Sequence, residues 1–522
     1  VKRIVKLIIL TSLLMAPACN YPGPPSRSPY ELSPQELRQT LVAQPNRTGG
    51  LAPPTQAAPQ SDANPFNNLN TATPGAAPTI IPQAPAPDTA VPYFAYTTQS
   101  GDTLARLAAR FEVDPSQIRA DVLFPQEQLL PYGLLLNIPN TIGETSYPSA
   151  IFPDSEVVYS PSSAGFDIRA FIREAGGYLS HYEEDIDGVP YSGAQIVQRV
   201  AAETSTNPRL LLSFLEFRSH WVYGQPASPE KIRYPIGFYV EGYQGLYKEL
   251  ALSAKLLNMG FYGWRLGTLS ELPFRDRSRA RISPELNAGS VAVQYLFARD
   301  YDQGPWIQAL YGDENFPELH RSMFGDAWER AQSVEPLFAQ DLTQPALELP
   351  FQAGERWSFT GGPHLSWNTG TPWGGLDFAP VTGEAACQTS RAWATAVGSG
   401  VIVRSENSVV SLDLDGDGYE QTGWVVVYLH LAVKERIAAG TFVERDQPLG
   451  HPSCEGGRTT GTHVHIARKY NGVWIPAGDP LPFTLSGWRA HSGEKIYQGT
   501  LEKDGQIVSA NPGGSRTSII VR

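Results

Sequence analysis

Cysteine is scarce in this 522-residue chain: Cys19, Cys387 and Cys454 are the only three, so at most one disulfide bridge can form within it. Basic charge is also in short supply. Forty Lys and Arg stand against 52 Asp and Glu, and the net charge of −12 repels phosphate backbones, which argues against nucleic acid as a partner. The apolar run near the start, Leu7 to Met15, is too short to span a bilayer. What is present is the composition of a folded, soluble protein at a length too great for one core, so three or four domains are expected.

The stretch "VKRIVKLIILTSLLMAPAC" sets Lys2, Arg3 and Lys6 ahead of that apolar run and small residues ahead of Cys19, the layout of an export signal. It resembles a bacterial lipoprotein signal. The resemblance implies removal of residues 1–18, lipidation of Cys19, and a mature protein lipid-anchored to the membrane at the cell surface. Residues 19–92 are dominated by Pro, Ala, Gln, Asn and Thr, as in "PGAAPTIIPQAPAPDTAVP", with no hydrophobic period. Such a segment cannot bury enough surface to offset its chain entropy, and it is expected to be a disordered tether.

Order is expected from "YFAYTTQSGDTLARLAARFEVDPSQIRADVLFPQEQLLPYGLLLNIP", residues 93–139. Tyr96 and Thr98 alternate as in a strand, Asp102 or Thr103 can cap a helix with Leu104, Leu107, Ala108 and Phe111 on one face, and Asp114-Pro115 can start a second helix. With "LLLNIP" as closing strand, this βααβ pattern resembles a LysM module, a family that binds the N-acetylglucosamine chains of peptidoglycan or chitin.

Residues 140–160 are expected to be a linker, and 161–343 a helical unit. "GAQIVQRVAAETSTNPRLLLSFLEFRSHWV" carries Ile196, Val197 and Val200 on one helix and Leu210, Leu211, Leu212 and Phe214 on the next. "LYKELALSAKLLNM" and "NAGSVAVQYLFARDY" add two more. The unit resembles the all-α, lysozyme-like domain of lytic transglycosylases, in which a Glu-Ser pair at a helix end supplies the general acid. Here Arg218 precedes Ser219, and Glu216 lies two residues further back on a different side of the helix. An arginine does not donate a proton near neutral pH, so the unit is read as a scaffold or a glycan-holding groove. The acidic run "HYEEDIDG", with Glu183, Glu184, Asp185 and Asp187, is read as solvated surface.

Between 344 and 485, runs such as "GVIVRSE", "VVSLDLD" and "WVVVYLHL" alternate with Gly, Pro and Asp turns, the pattern of an antiparallel all-β domain; 486–522 is expected to be a C-terminal tail. The predicted fold class is therefore multidomain α+β. In "GTHVHIARKYNG" His463 and His465 are one residue apart, and strand side chains alternate, so both project into one site while Val464 faces away. The same segment holds His430 in "YLHL", and His364 and Asp377 thirteen positions apart with the direction-reversing "WNTGTPWGG" between them. Catalytic zinc takes three His or carboxylate ligands and keeps a fourth position for water, and these residue types match.

"GTHVHIA", "WVVVYLHL" and "GGLDFAP" together resemble the lysostaphin-type zinc endopeptidases, which cleave peptide cross-links in bacterial cell walls. The resemblance implies His364, Asp377 and His465 as Zn2+ ligands, with His430 and His463 as catalytic residues flanking the reacting carbonyl. The family's H-x3-D motif is widened here by "LSWNTGTPWGGL". Cys387 and Cys454 flank the site in an exported setting and are expected to form the one disulfide. "DLDGDGYEQTG" is similar to a calcium loop through Asp413, Asp415 and Asp417, but Trp424 stands where a bidentate Glu is needed, so a tight hairpin turn is expected. The implied function is hydrolysis of peptidoglycan peptides with the glycan gripped by the LysM module. The competing class is a wall-docking scaffold without catalysis.

Overall fold

"WVVVYL" is apolar at every position, so a strand formed from it needs cover on both faces. In the computed structural model, which describes residues 92–522, it receives that cover from two different cores. The expected export signal, Cys19 and the tether as far as residue 91 lie outside the described residues.

The N-terminal module pairs β1 (Tyr93–Thr97) with β2 (Leu135–Pro139) around α1 (Leu104–Phe111), whose N-terminus is capped by Thr103. The second helix is only a 3-10 turn, Pro115–Gln117, closed by an Asp114–Gln117 capping box. The following segment, "IRADVLFPQEQ", lacks the 3.6-residue apolar period that would extend it. Within the module Arg110, Asp102 and Tyr96 form a buried hydrogen-bonded cluster.

Helical structure begins earlier than expected. Phe152, Glu156 and Val157 are fully buried, so the stretch from about 151 belongs to the helical core rather than to a linker. A hairpin, β3 (Glu183–Ile186) with β4 (Val189–Ser192), precedes α2 (Gly193–Thr204), α3 (Pro208–Ser219), α4 (Leu246–Arg265) and α5 (Ala288–Asp300). Glu184, expected on a solvated surface, instead accepts the N–H groups of Leu246 and Tyr247 and so caps the N-terminus of α4. Among the described residues no helix is long and apolar enough to cross a membrane.

The C-terminal unit is built on a nine-stranded antiparallel sheet. Its strands are β5 (Arg356–Leu365), β6 (Trp373–Pro380), β7 (Gly400–Glu406), β8 (Val409–Asp413), β9 (Trp424–Leu429), β10 (Phe442–Val443), β11 (Val464–Tyr470) and β12 (Ile519–Val521), in the spatial order β10-β7-β8-β9-β11-β6-β5-β12, with Val473–Trp474 beside β11. Val426, Tyr428, Val464, Ile466, Leu376 and Phe378 fill the core on one face. On the other face Val425, Val427 and Ala467 join the core of the helical unit. Tyr262 of α4 hydrogen-bonds the N–H of Trp474, and Ser205 donates to the carbonyl of Gly472, so the two units share one continuous interior.

Residues 486–522 are not a tail. Trp488–Ser492, Gly499–Lys503 and Gln506–Ser509 form a second small sheet with Thr484–Leu485, and β12 closes the edge of the main sheet against β5. Trp488 and Ala490 alternate into the core, and Leu501, Val508 and Ile520 join them from the three strands that follow, which explains why the segment folds. Cys387 and Cys454 are bonded, with Cα atoms 5.1 Å apart. Asp413 accepts the N–H groups of Asp415, Gly416 and Gly418, the tight turn expected between β8 and β9.

Glu420 is buried between Arg404, at 2.8 Å, and Lys469, at 2.7 Å. Burial would raise its pKa, but the two cations outweigh burial and hold it at about 2. That value lies below the ordinary carboxylate range, so the cluster's stabilisation is complete above about pH 4.5 and is lost as pH falls towards 2. Replacing Glu420 by Gln leaves two buried cations unpaired and is expected to cost ~3–5 kcal/mol. Denaturant titrations of both forms from pH 7 to pH 3 check this: the gap between them should narrow with acid.

Candidate metal centre

Asp377 on β6 and His465 on β11 are direct cross-strand neighbours, and β5 brings His364 opposite Gly375, two residues along from Asp377. The widened loop between His364 and Asp377 is folded on itself. The Pro372 carbonyl accepts from the Ser366 N–H, the Ser366 hydroxyl and the Gly374 N–H, while Thr371 closes onto Asn368 and Trp367. The insertion thus leaves the hairpin ends in register, and His364 reaches the site.

The three side chains converge tightly. His364 Nε2 lies 2.9 Å from His465 Nδ1 and 3.2 Å from Asp377 Oδ1, and His465 Nδ1 is 3.1 Å from the same oxygen. All three residues are at least nine-tenths buried. A tetrahedral zinc with bonds of 2.0–2.1 Å needs donors about 3.3 Å apart, so the spacing fits that ion. Gly375 makes room for it: a Cβ there would collide with the His465 ring.

The outward ring nitrogens decide which inner ones are free. His364 Nδ1–H donates to the Gly362 carbonyl at 2.9 Å and His465 Nε2–H to the Ser366 carbonyl at 3.1 Å, which leaves His364 Nε2 and His465 Nδ1 as lone pairs aimed at the common point. His430 Nδ1–H donates to Glu455 and His463 Nδ1–H to Gly461, each at 2.8 Å, and the two rings lie 4.7 Å apart. Four imidazoles are therefore pinned by backbone carbonyls. His463 Nε2 stands 3.7 Å from Asp377 Oδ1.

Electrostatics follow the same layout. Desolvation would raise the Asp377 pKa, but His364 and His463 hold it well below the ordinary value. Burial opposes charge on His364, yet the adjacent Asp377 carboxylate wins and raises its pKa. His465 is lowered, by burial first. His430 is pushed down to about 3 by burial and by the neighbouring His463, so its ring is neutral at physiological pH.

One residue of this site was not found in the sequence. Tyr497 stacks on His364 with ring centroids 4.3 Å apart, held by hydrogen bonds of its backbone to Gly362 and Pro363. Burial and the Asp377 charge raise its pKa, so its hydroxyl keeps its proton. It comes from the segment read as a tail, and a lone Tyr in "EKIYQG" carries no motif. Two further histidines are structural: His451 bridges Ala392 and Glu435, and His320 is buried between Ser213 and Glu156.

The helical unit offers no acid at the position its resemblance reserves for one. Arg218 is tied to Asp300, the Tyr301 hydroxyl and the Ile236 carbonyl, and Glu216 accepts the N–H groups of Val222 and Tyr223. Glu249 is wholly buried, accepts three N–H groups from residues 236–238, and is pushed up to about 8 by burial.

A family profile described as "LasA, N-terminal domain" matches residues 150–337, the helical unit. Protease LasA of Pseudomonas aeruginosa is 23% identical over 366 residues, which span 64% of this chain and 77% of that protein. The beta-lytic metalloendopeptidase of Achromobacter lyticus is 28% identical over 151 residues, 27% of this chain and 37% of that one. Among solved structures, the M23 metalloprotease pseudoalterin is similar at 24% identity with a TM-score of 0.28, covering 32% of this chain and 96% of its own. The catalytic domain of lysostaphin from Staphylococcus simulans is similar at 23% identity with a TM-score of 0.17, covering 24% and 89%. The chain is thus a homologue of metalloendopeptidases, and the residues in which it carries a zinc-type donor set lie in its β unit.

Proposed function

We propose that this protein is a zinc-dependent endopeptidase that hydrolyses stem or cross-link peptides of bacterial peptidoglycan. The observation that carries the reading is the convergence of His364, Asp377 and His465, with both outward ring N–H groups committed to backbone carbonyls. These three residues would hold the metal. Zinc bound there supplies Lewis-acid polarisation of a carbonyl and activation of water near neutral pH.

The chain's own groups divide the remaining work. His463 presents a bare Nε2 beside Asp377, whose charge stabilises the imidazolium formed when that nitrogen takes a proton from the attacking water. It can then pass the proton to the leaving amine. The Nδ1–H of His430 is committed to the Glu455 carbonyl and its ring is neutral, which leaves its Nε2 as an acceptor. It orients the water and shares the proton-accepting edge. The group with a proton to give the oxyanion is the Tyr497 hydroxyl.

The N-terminal module serves as a glycan-binding element in this reading. It exposes Leu123, Tyr132 and Leu135, an apolar surface suited to sugar faces. Lipid attachment through Cys19 would hold the enzyme at the cell surface, and tethering of this kind raises local substrate concentration without new contacts at the metal.

His465→Ala and Gly375→Ala should both lose bound zinc, the first by removing a ligand and the second by displacing one. His430→Ala, His463→Ala and Tyr497→Phe should keep zinc while turnover falls by on the order of 10² or more. Metal analysis beside a peptide-cleavage assay reads both, and equal zinc loss in all five variants would refute the division of roles. Purified cell walls supply the test of the function itself. The protein should release soluble peptides from them, a chelator should stop the release, and added zinc should restore it; mass spectrometry of the products identifies the bond. Wall binding without release would favour the scaffold.

A further inference from the structure

A cleft of about 780 Å³ opens where three parts of the chain meet. One wall is the end of α4 with Leu266 and Thr268, a second is the 369–373 turn that joins the two ligand strands, and Arg106 of the N-terminal module closes a third side. Trp373 lines it, half-exposed, on β6. Trp373 and Asp377 are four residues apart on one strand and so share a face, which puts the cleft about 13 Å from the metal ligands on the catalytic side of the sheet.

The charge in this cleft is unbalanced. Arg106 donates to the Gly101 carbonyl at 3.3 Å, and among the described residues no carboxylate pairs with it. Burial and neighbouring Arg265 lower its pKa to about 10, so it is still charged at neutral pH. The other charged groups at the rim are engaged: Asp479 pairs with Arg489, and His491 lies 3.5 Å from Glu502. Asp102, the carboxylate that acts on it, is tied to Arg110. A half-buried guanidinium with no carboxylate of its own, sharing a cleft with an indole, suits a carboxylate carried on an apolar stem. The chain's own net charge of −12 disfavours polyanionic ligands here.

We propose that this cleft binds a carboxylate-bearing peptide segment of the substrate, with Arg106 taking the carboxylate and Trp373 packing on the adjoining chain. An extended peptide covers about 3.3–3.6 Å per residue, so the segment held there lies about four residues from the bond at the metal. The assignment of that segment to the substrate rests on the peptidase reading; the binding does not.

The probe is the tetrapeptide Ala-γ-D-Glu-Lys-D-Ala, with its carboxylates free or amidated, titrated calorimetrically into the zinc-loaded full chain. The free form should bind about tenfold more tightly than the amidated one. Arg106→Gln should abolish that preference, and Arg106→Lys should retain part of it. Thr268→Trp, at an exposed rim position, should block both peptides by filling the cleft with Arg106 intact. On walls, Arg106→Gln should raise KM about tenfold. Equal binding of the two forms, or a preference that survives Arg106→Gln, overturns the proposal. Cleavage of a short neutral peptide by the unaltered chain tests the parent reading separately: Arg106-dependent binding without cleavage sinks the enzyme and keeps the cleft, and cleavage without such binding does the reverse.

Discussion

Asp377 and His465 face each other across a single rung of the central sheet, and the site depends on that pairing. A carboxylate and an imidazole fixed on adjacent strands cannot drift apart without breaking backbone hydrogen bonds, so two of three donors are placed by the sheet itself. His364 then needs only the β5–β6 hairpin to bring it to the same point. Because the three donors are buried, their lone pairs have little access to water, and they lie close enough together to hold one metal ion.

The parity of the strands has a second consequence. Asp377 and His465 face the side of the sheet on which Val425, Val427 and Ala467 pack against the helical unit. The helices therefore stand on the face that carries this His–Asp cluster rather than behind it, and they border the open space on that face. This is where the cleft lined by Arg106 and Trp373 lies.

The site was legible in the sequence because strand alternation fixes direction: His463 and His465 at i and i+2 had to share a face, and residue types narrowed the metal. The β class, the helices of the middle unit and the Cys387–Cys454 pair were legible on similar grounds. Tyr497 was not, since its place depends on a hairpin 133 residues beyond His364 folding back over that ring. The folding of 486–522 and the burial of 151–160 escaped for a related reason: single apolar residues on short strands, such as Leu501 and Val508, are weak signals until a neighbouring surface covers them. The packing of helices on the sheet was hinted at by "WVVVYL", whose unbroken apolar run required a second cover that the sequence does not name.

The widened motif between His364 and Asp377 brings these strands together. A longer connection between two ligands adds residues to be ordered, each costing about 1–2 kcal/mol of backbone entropy. Here the added turn is held from outside: Gly370, at φ +117°, sits where a Cβ would lie 3.0 Å from the Lys255 carbonyl and 2.9 Å from the Met259 side chain of α4. The same loop carries the Ser366 carbonyl that orients His465. Helix α4 thus packs against the turn that carries this carbonyl, and the orientation of His465 is set in part by a helix of the preceding unit. An insertion that would loosen an isolated β domain is, against that helix, ordered where it meets the His–Asp cluster.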